Sequence, residues 1–175
     1  MTAVYLGADV QTTGMGWAAV TADHGRVIRC GWLPYDRGRR IESETGTAVE
    51  RIAADMADAG LDVVAVAVER VGGGRGVQSM LKVADAQGIA SGLLAAAFPN
   101  RPLWRPTPGD WKALNGLPGN CGKDEVRQRV GDIIADGRSW VTVHADGLRQ
   151  DTADAVCIAW ADREACVRAV GTVGL

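Results

Sequence analysis

Residues 3–10, AVYLGADV, combine small and β-branched side chains with an acid next to last, a pattern that suits a buried strand closing near Asp9. QTTGMG then reads as a turn. MGWAAVTA and RVIRCGWL read as two further strands joined by the tight DHG turn, so the first third of the chain predicts an antiparallel meander. An Arg-rich polar connection, PYDRGRRIESETG, leads to a helix over about residues 46–60, with Ala53, Ala54, Met56 and Ala57 towards the core. DVVAVAVER is the most strand-like segment; its near-continuous valine and alanine predict a strand covered on both faces, as in a parallel sheet. A glycine cluster, VGGGRG, precedes a helix of about twenty residues, VQSMLKVADAQGIASGLLAAAF. NRPLWRPT is a short strand between prolines, PGDWKALNG carries a helix-start signal, GKDEVRQRVGDII is a further amphipathic helix, and a last helix spans about Asp151–Arg168. The order predicts an α/β layer arrangement: a five-stranded mixed sheet, three antiparallel strands plus two parallel ones, flanked by helices.

Length and composition narrow the class. A chain of 175 residues with 47% apolar content is expected to form one domain, residues 1–175, with a substantial core. No apolar run approaches the roughly 18 residues a membrane span needs. The start lacks a basic region followed by a long apolar one, so no signal peptide is expected. Cys30, Cys121, Cys157 and Cys166 have neither CxxC spacing nor histidine companions; Cys157 and Cys166 read as small core residues, and a reducing cytoplasm is the expected compartment.

The net charge of −2 does not advertise nucleic-acid binding, but its distribution does more. Residues 70–129 hold nine basic side chains, Lys82 and Arg127 among them, against four acidic ones, a local balance of +5 that leaves −7 for the rest. A basic middle between acidic flanks can present one cationic face to phosphate, or be a scatter of solvated charges.

The acids fall at telling places. Asp9 lies at a strand end before a glycine-bearing turn, and Glu69 ends the apolar VAVAVE run, where an ionisable group needs a reason. Asp151 and Asp154, three apart on one helix, are neighbours that repel. Each has an ordinary reading: a turn residue for Asp9, an ion pair with Arg70 or Arg75 for Glu69, a cap and a first-turn acid for the helix pair. In conjunction, adjacent strands bring Asp9 and Glu69 to one sheet edge, and the helix start packs across it. Such carboxylates cannot all stay ionised unless a cation sits among them, and oxygen donors without His or Cys suit Mg²⁺ or Mn²⁺.

In this order the motifs resemble the RuvC group of Holliday-junction resolvases, members of the ribonuclease H-like superfamily. LGADVQTTGMGWAAV is similar to that family's opening strand-turn-strand and VAVERV to the strand ending in the second carboxylate. ALNGLPGNCGKDEVRQRV resembles the stretch before the final helix, and DTADAVCIAW its closing Asp-x-x-Asp-Ala helix. The resemblance covers nearly the whole chain. It implies a ribonuclease H-like fold and a homodimer that resolves four-way DNA junctions by paired, symmetric hydrolysis, leaving 5′-phosphate and 3′-hydroxyl ends. It implies Asp9, Glu69, Asp151 and Asp154 as metal-binding carboxylates for two Mg²⁺ ions, with Mn²⁺ as the substitute. It implies Lys112 and Lys123 as basic residues at the scissile phosphate; besides Lys82 they are the chain's only lysines, against sixteen arginines. Lys82 and Arg127 are further candidate DNA contacts.

The chain also departs from the family. Its loop after the second carboxylate carries Gly72, Gly73 and Gly74 where the family has bulky or amide side chains that probe the junction centre. Those glycines can bring backbone N–H groups close to phosphate, with Arg75 adding charge, or form a plain mobile turn. Such divergence, with the overall acidity, fits a bacteriophage or mobile-element branch. Trp17, Trp32, Trp104 and Trp160 read as core; Trp111 reads as support for Lys112 or as a base-stacking platform. The long helix with small residues at Ala84, Gly88 and Ala90–Gly92 suits either a dimer face or packing on the sheet. Three alternatives remain at this level. One is a ribonuclease H-like nuclease with broader branched-DNA or RNA substrates; another is a non-catalytic DNA-structure binder. The third is an actin- or hexokinase-like phosphate cradle, which expects a duplicated second domain.

Overall fold

A computed structural model describes residues 1–71, 76–135 and 149–173. Strands β1 (Thr2–Gln11), β2 (Gly14–Thr21) and β3 (Val27–Pro34) form the antiparallel meander; β4 (Leu61–Val68) and β5 (Leu103–Trp104) add on the other side of β1 in parallel. The sheet order is β3-β2-β1-β4-β5, the five-stranded mixed sheet that the residue pattern predicts. Helices α1 (Ile41–Asp58) and α2 (Val77–Ala97) pack together over one face. The other face carries α5 (Gln150–Val173), against which α3 (Pro108–Leu114) and α4 (Lys123–Ala135) pack from outside. Among the described residues no helix is long and apolar enough to cross a membrane.

Two apolar layers follow from the period-2 alternation of strands. Val4, Leu6, Ala8 and Val10 of β1 point to the α1/α2 side, where they meet Ile52, Met56, Ala90 and Leu94. The intervening residues of β1 lie under α5: Tyr5 against Asp162 and Cys166, Gly7 against Ala155 and Ala159, and Asp9 near Asp151 and Asp154. Helix α5 thus runs along β1, with its N-terminus over the end that carries Asp9. Small residues make this approach possible: Ala153, Ala155, Ala159 and Ala161 are fully buried. A Cβ on Gly7 would stand 2.4 Å from the Ala155 carbonyl oxygen, and one on Gly16 would stand 2.2 Å from that of Asp151.

Helix α1 differs from the expectation drawn from residues 46–60. It starts at Ile41, and its core face is Thr45, Ala48, Val49, Ile52 and Met56; Ala54 and Ala57 are exposed and Ala53 is half-buried. The larger side chains took the inner stripe, and the alanines, which read as apolar in sequence, were left to solvent. Trp17 is buried, whereas Trp32, Trp104 and Trp160 are only half-buried; Cys157 is buried and Cys166 half-buried, and all four cysteines are free. Among the described residues the basic stretch forms no single face. Arg101 pairs with Asp62 at 2.7 Å near the edge where β4 begins, and Arg129 stacks on Trp160 at 4.7 Å.

The close approach of α5 yields a paired prediction. Gly7→Ala forces backbone atoms apart and is expected to cost about 1–3 kcal/mol of stability. Gly46→Ala, inside α1 with nothing within 4 Å of the added methyl, is expected to add roughly 0.5–1 kcal/mol. Urea unfolding of the two variants checks both signs.

Candidate active site

The site lies at the end of the sheet where β1 and β4 finish. Asp9 stands in β1 opposite Gly16 of β2, and the Glu69 backbone N–H, one residue past β4, donates to the Ala8 carbonyl at 3.0 Å. Two adjacent parallel strands therefore deliver their terminal acids side by side. Helix α5 begins at Gln150, so Asp151 and Asp154 occupy its first turns, where the helix dipole favours negative charge. The four carboxylates line one cavity of about 550 Å³, together with Gln11, Trp111, Lys112, Lys123 and Gln150.

Helix α3 comes to this cavity through its own local chemistry. The Thr107 side chain accepts from the Asp110 N–H while Asp110 accepts from the Thr107 N–H, a capping box with Pro108 in the first turn. This start places Trp111 inward, 2% exposed, where its Nε1–H donates to Glu69 Oε1 at 2.9 Å. Asn115 then fastens the helix to α5: its Nδ2 donates to the Trp111 carbonyl at 2.8 Å and to the Cys157 carbonyl at 2.9 Å. Lys112 Nζ reaches the Cys121 carbonyl at 3.2 Å, which folds the following loop back towards Lys123 at the start of α4.

Three of the four acids are held by neutral donors. Gln11 Nε2 donates to Asp9 at 2.9 Å, Gln150 Nε2 to Asp154 at 2.7 Å, and Trp111 to Glu69. Burial pushes the Asp9 carboxyl well up, and Glu69, Asp154 and Asp151 push it further; the Gln11 bond opposes them. Asp154 is pushed to about 7, by burial first and then by Glu69 and Asp151, against the Gln150 bond and the Lys112 charge. Among the described residues no three His, Cys, Asp or Glu side chains already stand together as a set that could hold a metal ion. The donor chemistry nonetheless fits a hard divalent cation: oxygen donors only, acidic, buried, and mutually repelling until positive charge enters.

The structure thus brings Asp9, Glu69, Asp151, Asp154, Lys112 and Lys123 to one cavity. It does not bring Lys82 or Arg127 there. Lys82 is exposed on α2, and Arg127 is exposed on α4, 3.7 Å from Asp124. Gly72, Gly73, Gly74 and Arg75 lie outside the described residues. Gln11 and Gln150, and the bond from Trp111 to Glu69, are not anticipated in the sequence. The two glutamines had a signal: Gln11 is two residues after Asp9 on a strand, and Gln150 is four before Asp154 on a helix, the spacings that share a face. Trp111 and Glu69 are 42 positions apart, and no local pattern joins them.

The pKa shifts set a sign for stability. Asp154 at about 7, against its ordinary 3.8, means that the folded chain binds more protons than the unfolded one between about pH 4 and pH 7. Stability from this group is full below about pH 4 and is lost as pH rises through 7. Asp9 acts in the same direction, as does Asp162, raised to about 7 by burial on α5. Without divalent cations, Asp154→Asn is therefore expected to be more stable than wild type at about pH 8, by roughly 1–3 kcal/mol. The gain should shrink towards pH 4; urea unfolding at both pH values measures it.

No protein-family model matches the chain, and no curated protein matches it. Solved structures do. RuvC of Thermus thermophilus superposes with a TM-score of 0.72 at 20% identity, over 97% of each chain. T. thermophilus RuvC in complex with Holliday junction substrate gives 0.70 at 19% identity, over 96% of each. The yeast mitochondrial Holliday junction resolvase Ydc2 gives 0.58 at 15% identity, over 97% of this chain and 83% of that one. The chain has the ribonuclease H-like α/β fold of the RuvC-type Holliday junction resolvases.

Proposed function

We propose that this chain, as one domain over residues 1–175, is a divalent-metal-dependent endonuclease that resolves four-way DNA junctions. One observation carries the reading: four carboxylates from β1, the end of β4 and the start of α5 line a single cavity with two lysines, on a RuvC-like fold.

Asp9, Glu69, Asp151 and Asp154 are the residues that would hold Mg²⁺ or Mn²⁺. Two such ions, when bound, supply the positive charge that polarises a phosphodiester and lowers the pKa of water. The chain's own residues do the rest. Trp111 holds one oxygen of Glu69 and so fixes the direction of its carboxylate. Lys112, tethered by backbone carbonyls, and Lys123 place ammonium groups where a phosphoryl group gains charge during transfer. In the overall step a water oxygen bonds to phosphorus and the bond from phosphorus to the 3′ oxygen breaks. That oxygen takes a proton, leaving 5′-phosphate and 3′-hydroxyl ends.

A homodimer would set two such cavities against a two-fold junction. Helix α2 offers the face for it: Val77 and Leu81 are 70% and 58% exposed, one turn apart, and Ala84 and Gly88 continue the exposed stripe. Gly72–Gly74 favour a second reading, a nuclease of broader branched substrates, because glycines offer no side chain to wedge between bases.

Cleavage of a labelled four-way junction and a matched duplex, with Mg²⁺, separates these readings. Paired symmetric nicks on the junction alone are expected, with a loss of at least about 100-fold in Glu69→Gln. Equal nicking of both substrates would favour the broader nuclease, and junction binding without cleavage a structure binder. In the same assay Trp111→Phe, which keeps an aromatic ring but fills less of the site and removes the N–H, is expected to lower kcat about tenfold with little change in KM. Its apparent Mg²⁺ requirement should rise.

A further inference from the structure

A second groove adjoins the acid cavity and uses none of the residues assigned above. The cavity and the groove share one wall, Thr12 and Thr13 of the β1–β2 turn. The groove, about 390 Å³, continues past Trp32 and Tyr35 to Arg37, Arg39 and Arg149. Its wall is tied down, since the Tyr35 N–H donates to the Thr13 carbonyl at 3.0 Å.

Arg149 is the best-prepared residue in it. Gly14 lets the Trp32 ring lie directly against the start of β2, where a Cβ would stand 2.3 Å from Trp32 Cζ2. The Arg149 guanidinium stacks on that ring at 4.5 Å from its centroid. Its backbone is fixed too, because its carbonyl accepts the Ala153 N–H in the first turn of α5. A stacked guanidinium keeps its N–H donors at the edge of its plane, free to form a fork on a phosphate. Two acids also line the groove, and both are engaged. Asp36 lies 3.8 Å and Glu44 3.7 Å from Arg39; Glu44 also accepts the Asp36 N–H at 2.8 Å, and Asp36 the Gly38 N–H at 2.9 Å. Arg39 and these acids hold the loop, which leaves Arg37 and Arg149 without a carboxylate partner among the described residues.

We propose that this groove is a phosphate track for the DNA strand leaving the acid cavity, with Arg149 and Arg37 as its two phosphate contacts and the Thr12–Thr13 turn as the threshold. The inference rests on the junction-cleaving function proposed above and extends its DNA footprint past Thr12 and Thr13, beyond the cavity that Lys112 and Lys123 line. Arg37 and Arg149 are 112 positions apart in sequence, in the Arg-rich β3–α1 connection and just before α5, and only the fold brings them to one groove.

The test is junction affinity over a salt series, by fluorescence anisotropy, in the full chain carrying Glu69→Gln to prevent cleavage. Each lost phosphate contact lowers the slope of log K against log salt by about 0.9. Arg149→Gln and Arg37→Gln are each expected to do so and to weaken binding several-fold. Arg101→Gln, the same charge change next to Asp62 near the opposite edge of the sheet, should leave the slope unchanged. Arg149→Lys keeps the charge and loses the fork; it is expected to retain the slope while binding more weakly than the parent. If the parent binds the junction and the groove variants bind it with the parent's slope and affinity, the track is refuted and the nuclease reading stands. If the parent binds neither junction nor duplex at low salt, the function itself is refuted. Unchanged thermal midpoints for both glutamine variants tie any loss to the contact, and a fall in midpoint that accounts for the loss overturns the assignment.

Discussion

The contact between α5 and the sheet is what the site depends on. Backbone meets backbone there: Gly7 and Gly16 have no room for a Cβ, and α5 answers with alanines. Larger residues at these positions would lift the helix from the strands, and the first turn of α5 is where Asp151 and Asp154 reside. A packing constraint in the interior thus sets the distance between carboxylates at the rim. Ridges of small residues often permit such approach, and here it also sets where Asp151 and Asp154 stand relative to the strands.

Placing four acids together is unfavourable in itself, and the surrounding structure is built to tolerate it. Gln11, Gln150 and Trp111 each give a neutral N–H to one acid, which offsets part of the desolvation without neutralising the cluster. Helix α3 is central to this arrangement. Its Trp111 touches the acid at the end of β4, its Asn115 is bonded to α5, and its Lys112 faces the same cavity. One short capped helix therefore joins two of the three carriers of carboxylates and supplies a cation of its own. The raised Asp9 and Asp154 carboxyls are the electrostatic cost that remains, and a divalent cation bound among them would remove it.

Much of this was legible in the residues, and what was not has identifiable reasons. Strand alternation and the valine-rich β4 gave the sheet, because burial on one or both faces leaves a period in the sequence. The acids stood out because an ionisable side chain at the end of an apolar run has few ordinary uses. Helix α1 was misplaced where alanine and larger apolar residues compete for the same stripe. Trp111 was read as support for Lys112, and its bond to Glu69 is a tertiary contact that no local spacing encodes. The groove of Arg37, Arg39 and Arg149 was hidden for a similar reason: the chain folds it together from the β3–α1 connection and the start of α5.

If the α5–sheet contact holds these acids ready for a divalent cation, binding one stabilises the folded chain. The most direct measurement is the thermal midpoint at about pH 8 with and without Mn²⁺, for wild type and Asp9→Asn. A ligand that binds the folded state alone raises its stability by mass action. That readiness predicts a rise of several degrees in wild type that is largely lost in Asp9→Asn. No rise in wild type, or the same rise in both proteins, would contradict it.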